Sequence, residues 1–190
     1  MAVSLGPGGL SGDRGGVLVS TGDMTTLGHS GNVSTDVDIP LPTGYDHFRV
    51  FFRFKTAGGG SDRAVVWFQV KDSGGTRLSM ECNSWQFRRG TAGSNNGTVT
   101  QEYNSASTWT RLGSFIDGSN VNFVEFTVDG TSNARPGITW TGNHTYGAVG
   151  STMFIGSAHY SSSTQYRSIG LNADTYDLAE LEYRVIGYIA

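Results

Sequence analysis

Cysteine is nearly absent from this chain. Cys82 is the single one in 190 residues, so no intrachain disulfide can form and the disulfide-stapled secreted class is excluded. With no catalytic partner pattern around it, Cys82 reads as a small buried apolar residue. Charge is scarce too: 15% of residues are charged and the formal net charge is −3, which offers no basic face to nucleic acid. No run approaches the ~18 apolar residues of a membrane helix. Residues 1–16 have neither the basic start nor the apolar stretch of a signal peptide. The expectation is a protein made in a cytoplasm that leaves the cell, if it leaves, by a route such as lysis.

Glycine, in contrast, is abundant, with 28 residues against four prolines. Glycine weakens helix and strand interiors and belongs in turns, bulges and close backbone approaches. Between the glycines lie aromatic and β-branched runs, the composition of an antiparallel β fold. A single domain of this length can bury roughly 70% of its unfolded surface, enough for a core without staples.

The hydrophobic spacing has a period of two. In residues 47–55 (HFRVFFRFK), Phe48, Val50, Phe52 and Phe54 share one face, while His47, Arg49, Arg53 and Lys55 share the other. Residues 64–71 (AVVWFQVK) repeat the pattern with Val66, Phe68 and Val70 inward, after a Gly-rich loop that reads as a hairpin. Asp72, Ser73, Gly74 and Gly75 make a tight turn into residues 76–82, so the three strands read as a meander. Residues 121–129 place Val124, Phe126 and Val128 together before the turn pair Asp129-Gly130. Residues 136–141 read as a short strand, its proline suiting an edge or a strand beginning. Residues 152–160 and 165–171 follow. The final run, 179–190, alternates Leu181, Tyr183, Val185 and Ile189 against Glu180, Glu182, Arg184 and Tyr188, as a closing strand in the middle of a sheet.

Two regions are less regular. Residues 1–32 are rich in Gly, Ser and Thr and read as an arm, loosely structured or ordered only against a neighbouring subunit. Residues 90–108 read as a long loop or a pair of short strands. The expected organisation is a Gly-rich arm over 1–32 and one antiparallel, jelly-roll-like β-sandwich over 33–190.

Little in the sequence points to catalysis. The four histidines, His29, His47, His144 and His159, show no metal-ligand spacing. There is no G-x-S-x-G, and the serine-rich segments read as turns. Glu81, Glu102, Asp117, Glu125, Glu180 and Glu182 are available as a glycosidase pair, but solvated strand faces account for them. Asp36 and Asp38 could contact calcium, although turn chemistry explains them equally. No cofactor is expected. The suggestive residues are aromatic: Trp85, Trp109, Tyr103, Tyr146, Tyr160 and Tyr166 lie in or beside predicted loops and strand ends. Exposed rings there would stack on sugars or anchor an interface. Trp67 and Trp140 read as core.

The segments Tyr45-Asp46-His47-Phe48-Arg49-Val50, 65–70 and Lys71-Asp72-Ser73-Gly74-Gly75-Thr76, with Ile138-Thr139-Trp140-Thr141-Gly142 and the closing 182–188, resemble β-rich modules of bacteriophage tail fibres and other virion appendages. The likeness runs over about residues 40–190 and rests on turn and core positions; it brings no catalytic residue, and the amino-terminal arm has no counterpart in it. It implies a non-enzymatic virion protein, a tail-fibre or receptor-binding module that presents loops to host surface glycan. The alternatives are a capsid decoration or head-fibre protein bound to other virion subunits, and a glycan depolymerase. Such modules work as symmetric oligomers that gain avidity, and a homotrimer is expected.

Overall fold

The computed structural model describes residues 15–57, 63–88, 98–117, 121–129, 137–146, 150–160, 164–173 and 177–189. The strands are β1 (Val17–Asp23), β2 (Val37–Pro40), β3 (His47–Thr56), β4 (Arg63–Lys71), β5 (Met80–Arg88) and β6 (Thr98–Ser107). They continue with β7 (Thr110–Asp117), β8 (Asn122–Asp129), β9 (Gly137–Tyr146), β10 (Gly150–His159), β11 (Ser168–Ala173) and β12 (Leu178–Tyr188). No helix occurs among the described residues.

The strands form two antiparallel sheets. One has eight strands in the order β1-β12-β3-β8-β9-β10-β5-β6, the other four in the order β2-β11-β4-β7. From β2 onward the chain changes sheet at every connection except β5–β6 and the run β8-β9-β10, the crossing pattern of a jelly roll. The expected antiparallel β-sandwich is the observed fold.

Alternation decides which side of each strand faces the gap between the sheets. Phe48, Val50, Phe52, Phe54, Val66, Phe68, Val70, Val124, Phe126 and Val128 are all buried, as their period of two requires. Phe68, from the small sheet, reaches across to the large one. Its ring lies 5.0 Å from Phe126 and 4.8 Å from Trp140, edge to face in both cases. Such pairs add about 0.5–1.5 kcal/mol beyond area burial. On the inner side of the β9–β10 hairpin, Gly142 stands opposite Phe154 and Gly156 opposite Trp140. A Cβ at Gly142 would lie 2.2 Å from the Phe154 ring, and one at Gly156 2.1 Å from the Trp140 ring. Each glycine leaves the space its partner's ring fills.

Several expectations are corrected. The meander does not form: β3 lies in the large sheet, β4 in the small one and β5 back in the large one. Alternation marks the buried face of a strand but says nothing of its neighbour, and both connections span the ~10 Å between sheets. The third strand of that set begins at Met80 rather than residue 76. Of the two places a proline suits, an edge or a strand beginning, the edge does not apply, since β9 begins at Gly137 and pairs with both β8 and β10; Pro136 lies outside the described residues. Of the segment read as a long loop or a pair of short strands, residues 98–107 form the single strand β6, which pairs with β5. The arm ends well before residue 32, because β1 pairs along β12 from Val17 to Asp23 and Met24 is buried. Residues 1–14 of it lie outside the described residues. The closing strand sits between β1 and β3, as expected of an apolar run, but Ile189 follows it and is exposed. β2 and β7 had no expected counterpart.

Candidate functional site

Registers across the large sheet set its outward side chains in rows. One row runs Arg184, Phe51, Glu125, Thr141, Ile155, Trp85, Gln101, and the next runs Glu182, Arg53, Phe123, Asn143, Met153, Phe87. A cleft of about 1240 Å³ opens over the first strands of these rows. Phe51, Phe123, Arg184, Thr141 and Asn143 line it, and Asp23 and Thr26 from the turn after β1 stand at one side. Phe123 is half exposed.

The charges of this face are mostly closed across strands. Arg49 meets Glu125 at 2.6 Å, Arg53 meets Glu182 at 2.9 Å and Lys55 meets Glu180 at 2.8 Å. At the far end, His47 lies 2.7 Å from Asp129 and His159 3.4 Å from Glu81. Arg184 is exposed and has no ion-pair partner among the described residues. Asp23 accepts hydrogen bonds at 2.9 Å from the backbone N–H and the hydroxyl of Thr26, which hold its carboxyl below the usual carboxylate range. The cleft therefore offers two phenyl rings beside the Arg184 guanidinium, an amide, hydroxyls and the Asp23 carboxylate, with the carboxylates of Glu125 and Glu182 held in ion pairs.

The outer face of the small sheet is arranged differently. Asp36 accepts hydrogen bonds from Gln69, from Arg77 at 2.9 Å and from Asn172 at 3.2 Å. Lys71 Nζ lies 2.5 Å from Asp38 and 3.4 Å from Asp36. Burial alone would raise the Asp36 carboxyl, but hydrogen bonds from Gln69, Asn172 and Arg77, with the charge of Arg77, outweigh it and hold the group below its ordinary range. On Asp36 and Asp38, the residues of the calcium reading, one oxygen of each already meets a cation: Asp36 Oδ2 meets Arg77 and Lys71, and Asp38 Oδ2 meets Lys71. Among the described residues no group of three or more His, Cys, Asp or Glu is placed to hold a metal.

The six predicted aromatic contacts do not converge. Trp85 lies half-buried on the outer face of the large sheet, opposite Ile155. Trp109 lies just before β7 of the other sheet, half-buried under the Arg77 guanidinium, 4.8 Å from the ring centre. Tyr103 belongs to β6 and Tyr146 to β9; their side chains lie outside the described residues. Tyr160 packs partly buried against the core. Tyr166 is a correction: it is fully buried, its hydroxyl 3.6 Å from Met80 Sδ, and burial pushes the phenol well above its ordinary range. It has no surface to offer a ligand. Trp140 is core as read, whereas Trp67 is half-buried on the outer side, with the Arg111 guanidinium 5.6 Å from its ring centre.

Phe51, Phe123 and Arg184 were missed as site residues. Their signal is a phenylalanine on the polar side of an alternating strand, visible in Phe123 against Val124, Phe126 and Val128. Comparison of the chain with protein-family models, with curated proteins and with solved structures finds no match.

Proposed function

We propose that the chain is a non-enzymatic binding module of a bacteriophage appendage, of the tail-fibre receptor-binding kind, that holds host surface glycan in the cleft of the eight-stranded sheet. The observation that carries this reading is the pairing of Phe51 and Phe123 with Arg184, Asn143 and Thr141 in one open cleft. Ring faces accept the C–H side of a sugar, and the polar groups meet its hydroxyls. The strand and turn resemblance supports the virion setting.

Binding rather than cleavage fits the carboxylates. A glycosidase needs two carboxyls free to flank the scissile bond. In this cleft Glu125 is held by Arg49, Glu182 by Arg53 and Asp23 by Thr26. A glycan array and a host-cell adsorption assay test the reading. The wild-type chain should retain a host surface glycan, and Phe123→Thr and Arg184→Gln should each weaken that binding. Absence of any retained glycan, or full binding by both variants, overturns it. Co-purification with capsids alone would move the function to decoration, and release of sugar product to depolymerisation.

A further inference from the structure

We propose that a second copy of this chain docks on the β10–β5 part of the large sheet, beside the cleft. Phe123 and Met153 of this patch also line the cleft, so a docked copy and a bound glycan meet along that edge, whereas Phe87 and Ile155 belong to the docking patch alone. Phe87 is 39% exposed, Ile155 40%, Met153 53% and Phe123 50%, and the registers make them neighbours. At roughly 200 Å² for a large side chain, these four leave on the order of 350 Å² of mostly apolar surface in water. That lies within the range of about 300–600 Å² for the largest patch on a monomer, a patch often functional.

The area and the charge pattern both select the occupant. Each partner of a stable pair buries about 800 Å², somewhat over half of it apolar. The half-buried Trp85 and the exposed Thr139 and Thr141 on the same face extend the patch towards that share. No described charged side chain stands between these residues. Of the charges around them, Arg49, Arg53, Glu125 and Glu182 are closed in pairs within the chain, and the open one, Arg184, stands on β12 at the opposite side of the cleft. Within the patch itself a charged partner finds no counter-charge. Two copies placed patch to patch meet neutral on neutral, without the like-charge opposition that usually obstructs a self-complementary contact.

Sedimentation equilibrium of the full chain tests the proposal. The wild-type chain should associate over the micromolar range, and the double variant Phe87→Thr, Ile155→Thr should weaken association at least about tenfold. Neither residue lines the cleft, so glycan retention by the variant separates this outcome from failure of the glycan reading. A second measurement uses the unaltered chain, in case the variant does not fold. Peroxide oxidation of the exposed Met153 should slow as protein concentration rises, relative to the buried Met80. A wild-type chain that stays monomeric, an assembly that survives the double substitution, or a Met153 rate independent of concentration overturns the proposal. The first of these would leave the patch to a different virion protein or to a glycan.

Discussion

The outer faces of the two sheets carry similar residue types to opposite ends. On the small sheet, Asp36, Asp38, Gln69, Lys71, Arg77 and Asn172 are linked to one another by hydrogen bonds, with Asp38 Oδ1 and Gln69 Oε1 buried outside that network. On the large sheet the cross-strand ion pairs leave Arg184, Asn143 and the Phe123 ring uncommitted around an open cleft, with the Phe51 ring beside them under the Arg49 guanidinium. Outward positions that satisfy each other hold strands in register, whereas those without internal partners are left for something outside the chain. The first kind should matter to stability and the second to binding.

Four measurements sharpen or break that contrast. Phe52→Ala, which empties a core site on β3, should lower unfolding free energy by about 3–5 kcal/mol in urea titrations. Asp36→Ala leaves Arg77 without its counter-charge and Gln69 and Asn172 without their acceptor, while Lys71 keeps Asp38, and should cost about 1.5–3 kcal/mol. The same carboxylate predicts acid sensitivity. Its folded pKa lies below the unfolded value of about 3.9. Its stabilisation is thus fully present above that value and is lost as pH falls through the lower folded one. Below about pH 4 the wild-type Tm should fall more steeply than that of Asp36→Asn. Smallest is Arg53→Ala, which removes an exposed pair with Glu182 and should cost no more than about 1 kcal/mol. Equal effects from Phe52→Ala and Arg53→Ala would mean that β3 faces the other way, and a costless Asp36→Ala would erase the distinction between the two outer faces.

The residues disclose their burial far better than their neighbours. In β3, β4 and β8 every phenylalanine and valine assigned inward is buried, because side-chain direction is a local property of an extended backbone. Pairing is not local. The turn at Asp72–Thr76 is real, with Gly75 in the left-handed region at φ 77° and its N–H bonded to the Asp72 carbonyl. It closes a single antiparallel bridge, Lys71 to Arg77, and the chain then crosses to the other sheet instead of continuing a hairpin. The short β2 and the bulged pairing of β7 leave too little pattern to read. The cleft was hidden for the same reason: Phe51, Phe123 and Arg184 are far apart in the chain and meet only through the strand order β12-β3-β8. Tryptophan and tyrosine drew attention as ring types, but which side of which sheet a ring lies on is a matter of register.

The hairpin β9–β10 adds a rule about how this core can vary. Because Trp140 occupies the volume a side chain at Gly156 would need, and Phe154 that of Gly142, each couple holds a fixed sum of side-chain volume. Enlarging one member alone forces a ring out of place, while shrinking the ring alone leaves a void. A coupled exchange of both should be tolerated better than either half, so the effects of the single changes should fail to add.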